Sequence, residues 1–255
     1  MNPILELNDI SYSYHTLDGE TKALSNISFS LSPGEFTAVV GPSGCGKSTL
    51  LSLIAGLMKA ENGQICLNGE PLTENSSKIG YMLQHDHLFE WRSIYRNVLL
   101  GAEINKALTP EIKQRASELL EQYGLKHFAR SKPSELSGGM RQRAALIRTL
   151  LLDPELLLLD EPFSALDYQT RLTVSDDIGQ IIRCSGKTAL LVTHDLSEAV
   201  SLSDRVIILS KRPASIVRIV PITFALEKDT PLNRRNAPEF KNYFNEIWKE
   251  LNRDE

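Results

Sequence analysis

One stretch constrains this chain more than any other: Gly41-Pro42-Ser43-Gly44-Cys45-Gly46-Lys47-Ser48-Thr49. Its spacing is G-x-x-x-x-G-K-[ST], the pattern of a loop that cradles phosphates. Phe36-Thr37-Ala38-Val39-Val40 precedes it, an apolar, β-branched run suited to a buried strand. Leu50, Leu51, Ile54 and Leu57 follow at helical spacing, with Gly56 near the expected helix end. Strand, glycine loop and helix in that order let backbone N–H groups turn inward around an anion, while the positive end of the helix faces the same point. Lys47 adds a point charge for outer phosphates, and Ser48 a hydroxyl for Mg2+. Without those flanks the same letters would read as a plain glycine-rich turn.

A chain of 255 residues can form one large domain or two small ones. Its formal net charge of -4 provides no global basic field, so no nucleic-acid partner is expected. Cys45, Cys66 and Cys184 stand far apart with no C-x-x-C pair. They suggest neither a disulfide framework nor a zinc site, which suits a reducing cytosol. The start, Met1-Asn2-Pro3-Ile4-Leu5-Glu6, lacks the basic-then-apolar pattern of a secretory leader. No apolar run approaches the roughly 20 residues of a membrane helix, so a membrane role would go through a partner.

Residues 4–40 read as β-rich. Ile4-Leu5-Glu6-Leu7 and Ile27-Ser28-Phe29-Ser30-Leu31 alternate, and Asp18-Gly19 and Pro33-Gly34 mark turns. Gly63 to Gly69 reads as a short strand ending at an Asn-Gly turn, and Lys78 to Leu83 as another, running up to Gln84. From about 89 to 152 the pattern is helical. Thr109-Pro110 starts one helix, with Ile112, Ala116, Leu119, Leu120 and Tyr123 on a face and Gly124 as its stop. A second runs from about Gly139 to Leu152. Beyond it, strands (Leu156–Leu159, Thr188–Val192, Arg205–Leu209) alternate with helices near Thr170–Cys184 and from Leu196. That alternation predicts an α/β fold with a mostly parallel, helix-covered sheet.

In such sheets ligands sit at the carboxyl ends of strands. Here the glycine loop follows Val40, Asp160-Glu161-Pro162 follows the leucine run, and Thr193-His194-Asp195 follows Val192. Asp160 is placed to hold Mg2+ with phosphate and water, and Glu161 to act as a base toward attacking water. His194 suits a contact to the terminal phosphate or to that water. Leu136-Ser137-Gly138-Gly139-Met140-Arg141-Gln142 offers a second anion-binding helix start, with Ser137 as its cap. Periodicity alone leaves two readings open: an ordinary capped helix, or a site offered in trans to a second copy.

Leu-Ser-Gly-Gly-x-x-Gln resembles the signature of ABC-type ATPases. Together with the phosphate loop, Gln84, Asp160-Glu161, Ser164-Ala165-Leu166-Asp167 and His194, it makes residues 4–212 similar to an ABC transporter ATP-binding subunit. The resemblance implies a P-loop ATPase fold of this type, with an antiparallel β subdomain and a helical subdomain at about 89–152. It implies MgATP bound by residues 41–49, Gln84, Ser137, Gly138, Gly139 and Gln142, with Ser48, Gln84 and Asp160 toward Mg2+ and Lys47, Glu161 and His194 toward hydrolysis. Tyr14 would stack on adenine, with Tyr12 as its competitor. Ser164 to Asp167 would cross the interface of a homodimer.

The wording of the two glycine motifs and Trp91-Arg92 is similar to the nitrate/sulfonate/taurine group of importers, although Glu90 stands where that group usually has proline. The implied protein is a peripheral ATP hydrolase at the cytoplasmic face of the cell membrane. It would work with permease subunits and, indirectly, an extracytoplasmic solute-binding protein. An exporter ATPase or a soluble ABC-type ATPase would share the ATP motifs. In the tail, residues 213–255, Ile216–Val220 reads as a last strand. A helix from Pro238 would turn Phe240, Phe244, Ile247, Trp248 and Leu251 to one face, packing on the core.

Overall fold

The computed structural model describes residues 2–17, 19–72 and 78–253. Met1 and the Asp18 half of the Asp18-Gly19 turn lie outside the described residues. In chain order the strands are β1 (Leu5–Thr16), β2 (Gly19–Leu31), β3 (Phe36–Val40), β4 (Asn62–Leu67), β5 (Glu70–Pro71), β6 (Ile79–Met82), β7 (Leu156–Asp160), β8 (Thr188–Val192), β9 (Arg205–Leu209) and β10 (Ile216–Pro221). The helices are α1 (Lys47–Ile54), α2 (Ile94–Val98), α3 (Leu100–Ile104), α4 (Pro110–Gln122), α5 (Gly138–Leu150), α6 (Tyr168–Cys184), α7 (Leu196–Leu202), α8 (Pro231–Asn236) and α9 (Pro238–Leu251). They fall into two units, Met1–Ser76 with Gly179–Glu255, and Ser77–Ile178.

In the first unit, β3 lies between β8 and β9 and runs parallel to both, while β10 pairs antiparallel with β9. All five residues of β3 and of β8 are buried. A strand covered on both faces has no solvated face to show, which is why these read as largely apolar runs, Thr37 and Thr188 being their buried polar members. The antiparallel sheet has the order β2-β1-β4-β5. Its first two strands are longer than the alternation implies. Register shifts interrupt β1 near Ile10, and Asp9 and Asn26 take positive φ (54° and 51°), so the two-residue period breaks while pairing continues. Asn68 and Gly69, both at positive φ, turn β4 back into β5.

Helix α1 stops at Ile54, because Gly56 adopts φ 70° and reverses the chain. Leu57, placed on that helix by its spacing, therefore falls beyond it and is 65% exposed. Helix α9 buries Ile247 among Val40, Val206, Ile208 and Val220, with Phe240, Phe244 and Leu251 packed alongside. Trp248 does not join that face; it stacks on Phe244 and is 56% exposed. Helix α8 lacks an apolar period that would have announced it. It is capped by Thr230, and its Arg234 is buried, donating to Asp229 and to the Ser203 carbonyl (2.7 Å).

In the second unit β6 and β7 run parallel. The helical stretch holds four α-helices, with short 3-10 turns at Lys126–Phe128 and Pro133–Glu135 between α4 and α5, and has Ile94, Val98, Leu120, Leu125 and Ile147 in one core. Thr109 caps α4 and Ser137 caps α5 through their hydroxyls. Helix α6 carries the chain from the second unit back into the first.

Candidate functional site

The first unit holds the glycine-rich loop of residues 41–49. Gly44 and Gly46 take φ 73° and 125°, and a β-carbon on Gly46 would lie 2.9 Å from Leu24 Cδ2, so only glycine fits. Lys47 is buried, and its Nζ donates to the carbonyls of Gly41 (2.9 Å) and Pro42 (3.1 Å). Loop and ammonium are thus already gathered at the carboxyl end of β3. Burial pushes the Cys45 thiol up, against the opposing pull of the Lys47 charge, so this residue packs as a neutral thiol. Ser48 stands in the first turn of α1. Thr49 shares a 2.8 Å hydrogen bond with the Tyr14 hydroxyl. Tyr12 meets Tyr14 edge-to-face, centroids 5.1 Å apart.

His194, in the same unit, is exposed just past β8. Its neighbours are fixed on both sides. Thr193 Oγ1 donates to Glu198 (2.7 Å) and accepts from the Asp195 amide (3.0 Å), while Asp195 caps α7 by accepting from Ser197 N (2.7 Å). The sequence pattern singles out His194 but not the buried Glu198 that holds the neighbouring Thr193.

The second unit holds the carboxylates. Asp160 ends β7, buried, and accepts from the Tyr81 hydroxyl (3.3 Å). Glu161 follows at φ 44°, an uncommon conformation for a residue with a β-carbon. Its carbonyl accepts from Ser164 Oγ (3.0 Å), and Ser164 Oγ in turn accepts from Gln84 Nε2 (3.2 Å). Gln84 and the Glu161 turn are thus brought together through Ser164. Asp167 caps α6 by accepting from Thr170 N (3.1 Å).

The helix start at Ser137 belongs to this unit too. A β-carbon on Gly138 would lie 2.8 Å from Leu166 Cδ2, and one on Gly139 would lie 2.5 Å from Val174 Cγ2. The two glycines therefore let α5 approach the 164–167 turn and α6. Gln142 is buried, and its Oε1 has no hydrogen-bond partner among the described residues.

Spacing gave no sign of one further cluster. Arg141 clasps Asp86 (2.8 and 3.2 Å) and also pairs with Glu90 (2.9 Å). Burial pushes the Asp86 carboxyl up, but hydrogen bonds from Arg141 and the Leu88 amide, with the Arg141 and Arg148 charges, hold it below the usual range.

Residues 24–164 match the family model described as ABC transporter. A Bacillus subtilis (strain 168) protein described as the uncharacterized ABC transporter ATP-binding protein YtlC is 46% identical over 248 residues, 97% of this chain and 95% of that protein. The nitrate import ATP-binding protein NrtD of Synechocystis sp. is 41% identical over 250 residues, 95% of this chain and 93% of its own. Among solved structures, the dimeric post-hydrolysis state of the ATP-binding cassette MJ0796 bound to ADP and Pi superposes with a TM-score of 0.69. It is 30% identical and covers 84% of this chain and 99% of that one.

Proposed function

This chain belongs to the ABC transporter ATP-binding family, and on that premise we propose that it is the ATP-hydrolysing motor of a small-solute importer. The observation that carries the ATP reading is the loop shaped around the Lys47 ammonium, which a nucleotide's outer phosphates would draw away from the Gly41 and Pro42 carbonyls. The similarity to a nitrate import protein supports import, and a nitrate- or sulfonate-like anion as cargo.

In this reading residues 41–49 bind the phosphates and Tyr14 stacks on adenine. Ser48, Gln84 and Asp160 offer hydroxyl, amide and carboxylate oxygens, the hard donors that Mg2+ takes. When bound, Mg2+ neutralises phosphate charge. Glu161 accepts a proton from the attacking water, and His194 orients the terminal phosphate or that water. The start of α5 at Ser137 serves the ATP of a second copy, and Ser164 to Asp167 lies at the interface of that homodimer. The MJ0796 dimer supports this arrangement. Residues 1–212 form the ATPase part and residues 213–255 an extension on it.

Among the described residues no helix is long and apolar enough to cross a membrane. The motor would act at the cytoplasmic face through permease subunits, with an extracytoplasmic binding protein delivering solute. The test is co-expression with the neighbouring permease genes and reconstitution in liposomes. ATP hydrolysis should rise when solute-loaded binding protein is added on the opposite face. A chain that never co-purifies with the permease, or whose hydrolysis ignores the loaded binding protein, refutes the importer reading.

A further inference from the structure

The segment after Gln84 is fastened to one face of α5 by two arginines two turns apart. Arg141 clasps Asp86 and pairs with Glu90, while Arg148 donates to the carbonyls of Asp86 (2.7 Å) and His87 (2.8 Å). The far end of the segment is equally fixed. Asn97, fully buried, accepts from the Phe89 amide (2.7 Å) and donates to the Phe89 carbonyl (3.1 Å). Arg141 stands one turn from the helix start that Ser137 caps. Glu90, the departure from the importer group's usual proline, thus has a use here: a second acidic arm on the same guanidinium.

The geometry points to Arg141 as a positioning residue. Held by Asp86 and Glu90, it makes the Gln84 segment and the start of α5 move as one piece, so that a change felt at Gln84 re-aims Ser137 and Gly138. The inference rests on the ATP reading above. A bidentate guanidinium–carboxylate pair fixes orientation as well as distance, which a single flexible ion pair does not. A strut of this kind counts as coupling only when breaking it separates the two ends.

The full chain, with and without Mg2+ and a slowly hydrolysed ATP analogue, is followed by hydrogen exchange, alongside kcat and KM for ATP. In the wild type the nucleotide should slow exchange at both 84–91 and 137–141. In Arg141→Met, protection should remain at 84–91 and vanish at 137–141. kcat should fall about ten-fold with nucleotide affinity within about two-fold of wild type. Asp86→Asn combined with Arg141→Met should lose no more than Arg141→Met alone. If Arg141→Met does not fold, Glu90→Gln, whose side chain is half exposed, should show a smaller loss in kcat at unchanged KM. A wild-type nucleotide response that these variants keep in full overturns the proposal alone. A wild type whose exchange ignores nucleotide overturns the ATP reading and the proposal built on it.

Discussion

The hydroxyls of Tyr14 and Thr49 lie 2.8 Å apart, so the aromatic on β1 is fastened to the first turn of the helix that leaves the phosphate loop. Tyr12 meets the Tyr14 ring edge-to-face. If Tyr14 is the adenine platform, Tyr14→Ala should weaken ATP binding by about 1–3 kcal/mol, the scale of base–aromatic stacking. Tyr14→Phe keeps the ring and loses one hydrogen bond, so it should cost about 1 kcal/mol of stability or less and little affinity. Titration with a fluorescent ATP analogue separates the two. A Tyr12→Ala variant that loses more affinity than Tyr14→Ala would reverse the assignment.

Lys47 is an ammonium already desolvated and satisfied by two backbone carbonyls. Lys47→Ala should weaken ATP binding by roughly 1.5–3 kcal/mol, as loss of a charge-assisted hydrogen bond does. Calorimetric titration of the purified chain reads this directly, and an unchanged Kd would remove Lys47 from the phosphate site.

Glu161 combines a proposed catalytic carboxylate with a strained backbone at φ 44°. Glu161→Gln should bind ATP and turn it over about 10²–10⁴-fold more slowly, the range for a lost general base. It should also accumulate as an ATP-bound dimer on a sizing column. Glycine adopts this conformation without the β-carbon's penalty, so Glu161→Gly should be more stable than Glu161→Ala by about 1 kcal/mol. Equal melting temperatures for that pair would show that the turn carries no strain.

The parts legible in the sequence are those where one physical cause acts alone. Strands β3, β8 and β9 have the expected bounds because burial selects mostly apolar residues along them, with Thr37, Thr188 and Arg205 as the polar members. Thr109 and Ser137 were readable as caps because hydroxyls there satisfy free backbone amides. Elsewhere two causes compete. Leu57 keeps the helical period, but Gly56 ends the helix first. The alternation in β1 and β2 is broken by residues at positive φ, which pairing tolerates and a period count does not. Asp86 and Arg141 lie 55 residues apart, and no spacing rule joins a loop acid to a distant helix.

Asp86 and Asp229 give the fold a defined acid sensitivity. The Asp86 carboxyl is pushed up by burial but held down by Arg141, and Asp229 is held down first by its hydrogen bond from Arg234. Both folded-state values lie below the unfolded value of about 3.9. Their stabilising contribution is therefore complete above that value and is lost as pH falls through the lower folded value. In urea unfolding followed from pH 6 to pH 3, Asp86→Asn should be less stable than wild type at pH 6, and the gap should narrow toward pH 3. A gap that stays constant across that window would show that Asp86 is not held low by Arg141.

The glycines that open α5 have one packing reason and one proposed functional reason to be glycine, and Gly139 lets them be told apart. A β-carbon there would meet Val174 Cγ2 at 2.5 Å, so Gly139→Ala should destabilise by about 1–3 kcal/mol through overpacking. Val174→Ala removes the obstructing methyl, and the double variant should recover most of the melting temperature lost by Gly139→Ala. If packing were the whole reason for the glycine, ATP hydrolysis would return with stability. If the helix start must also bring bare backbone close to the phosphates of a second copy's ATP, the double variant should fold like Val174→Ala and still hydrolyse ATP slowly. The proposed trans site requires the second outcome. Full recovery of hydrolysis would leave Gly139 a packing residue and shift the burden of that site to Ser137 and Gly138.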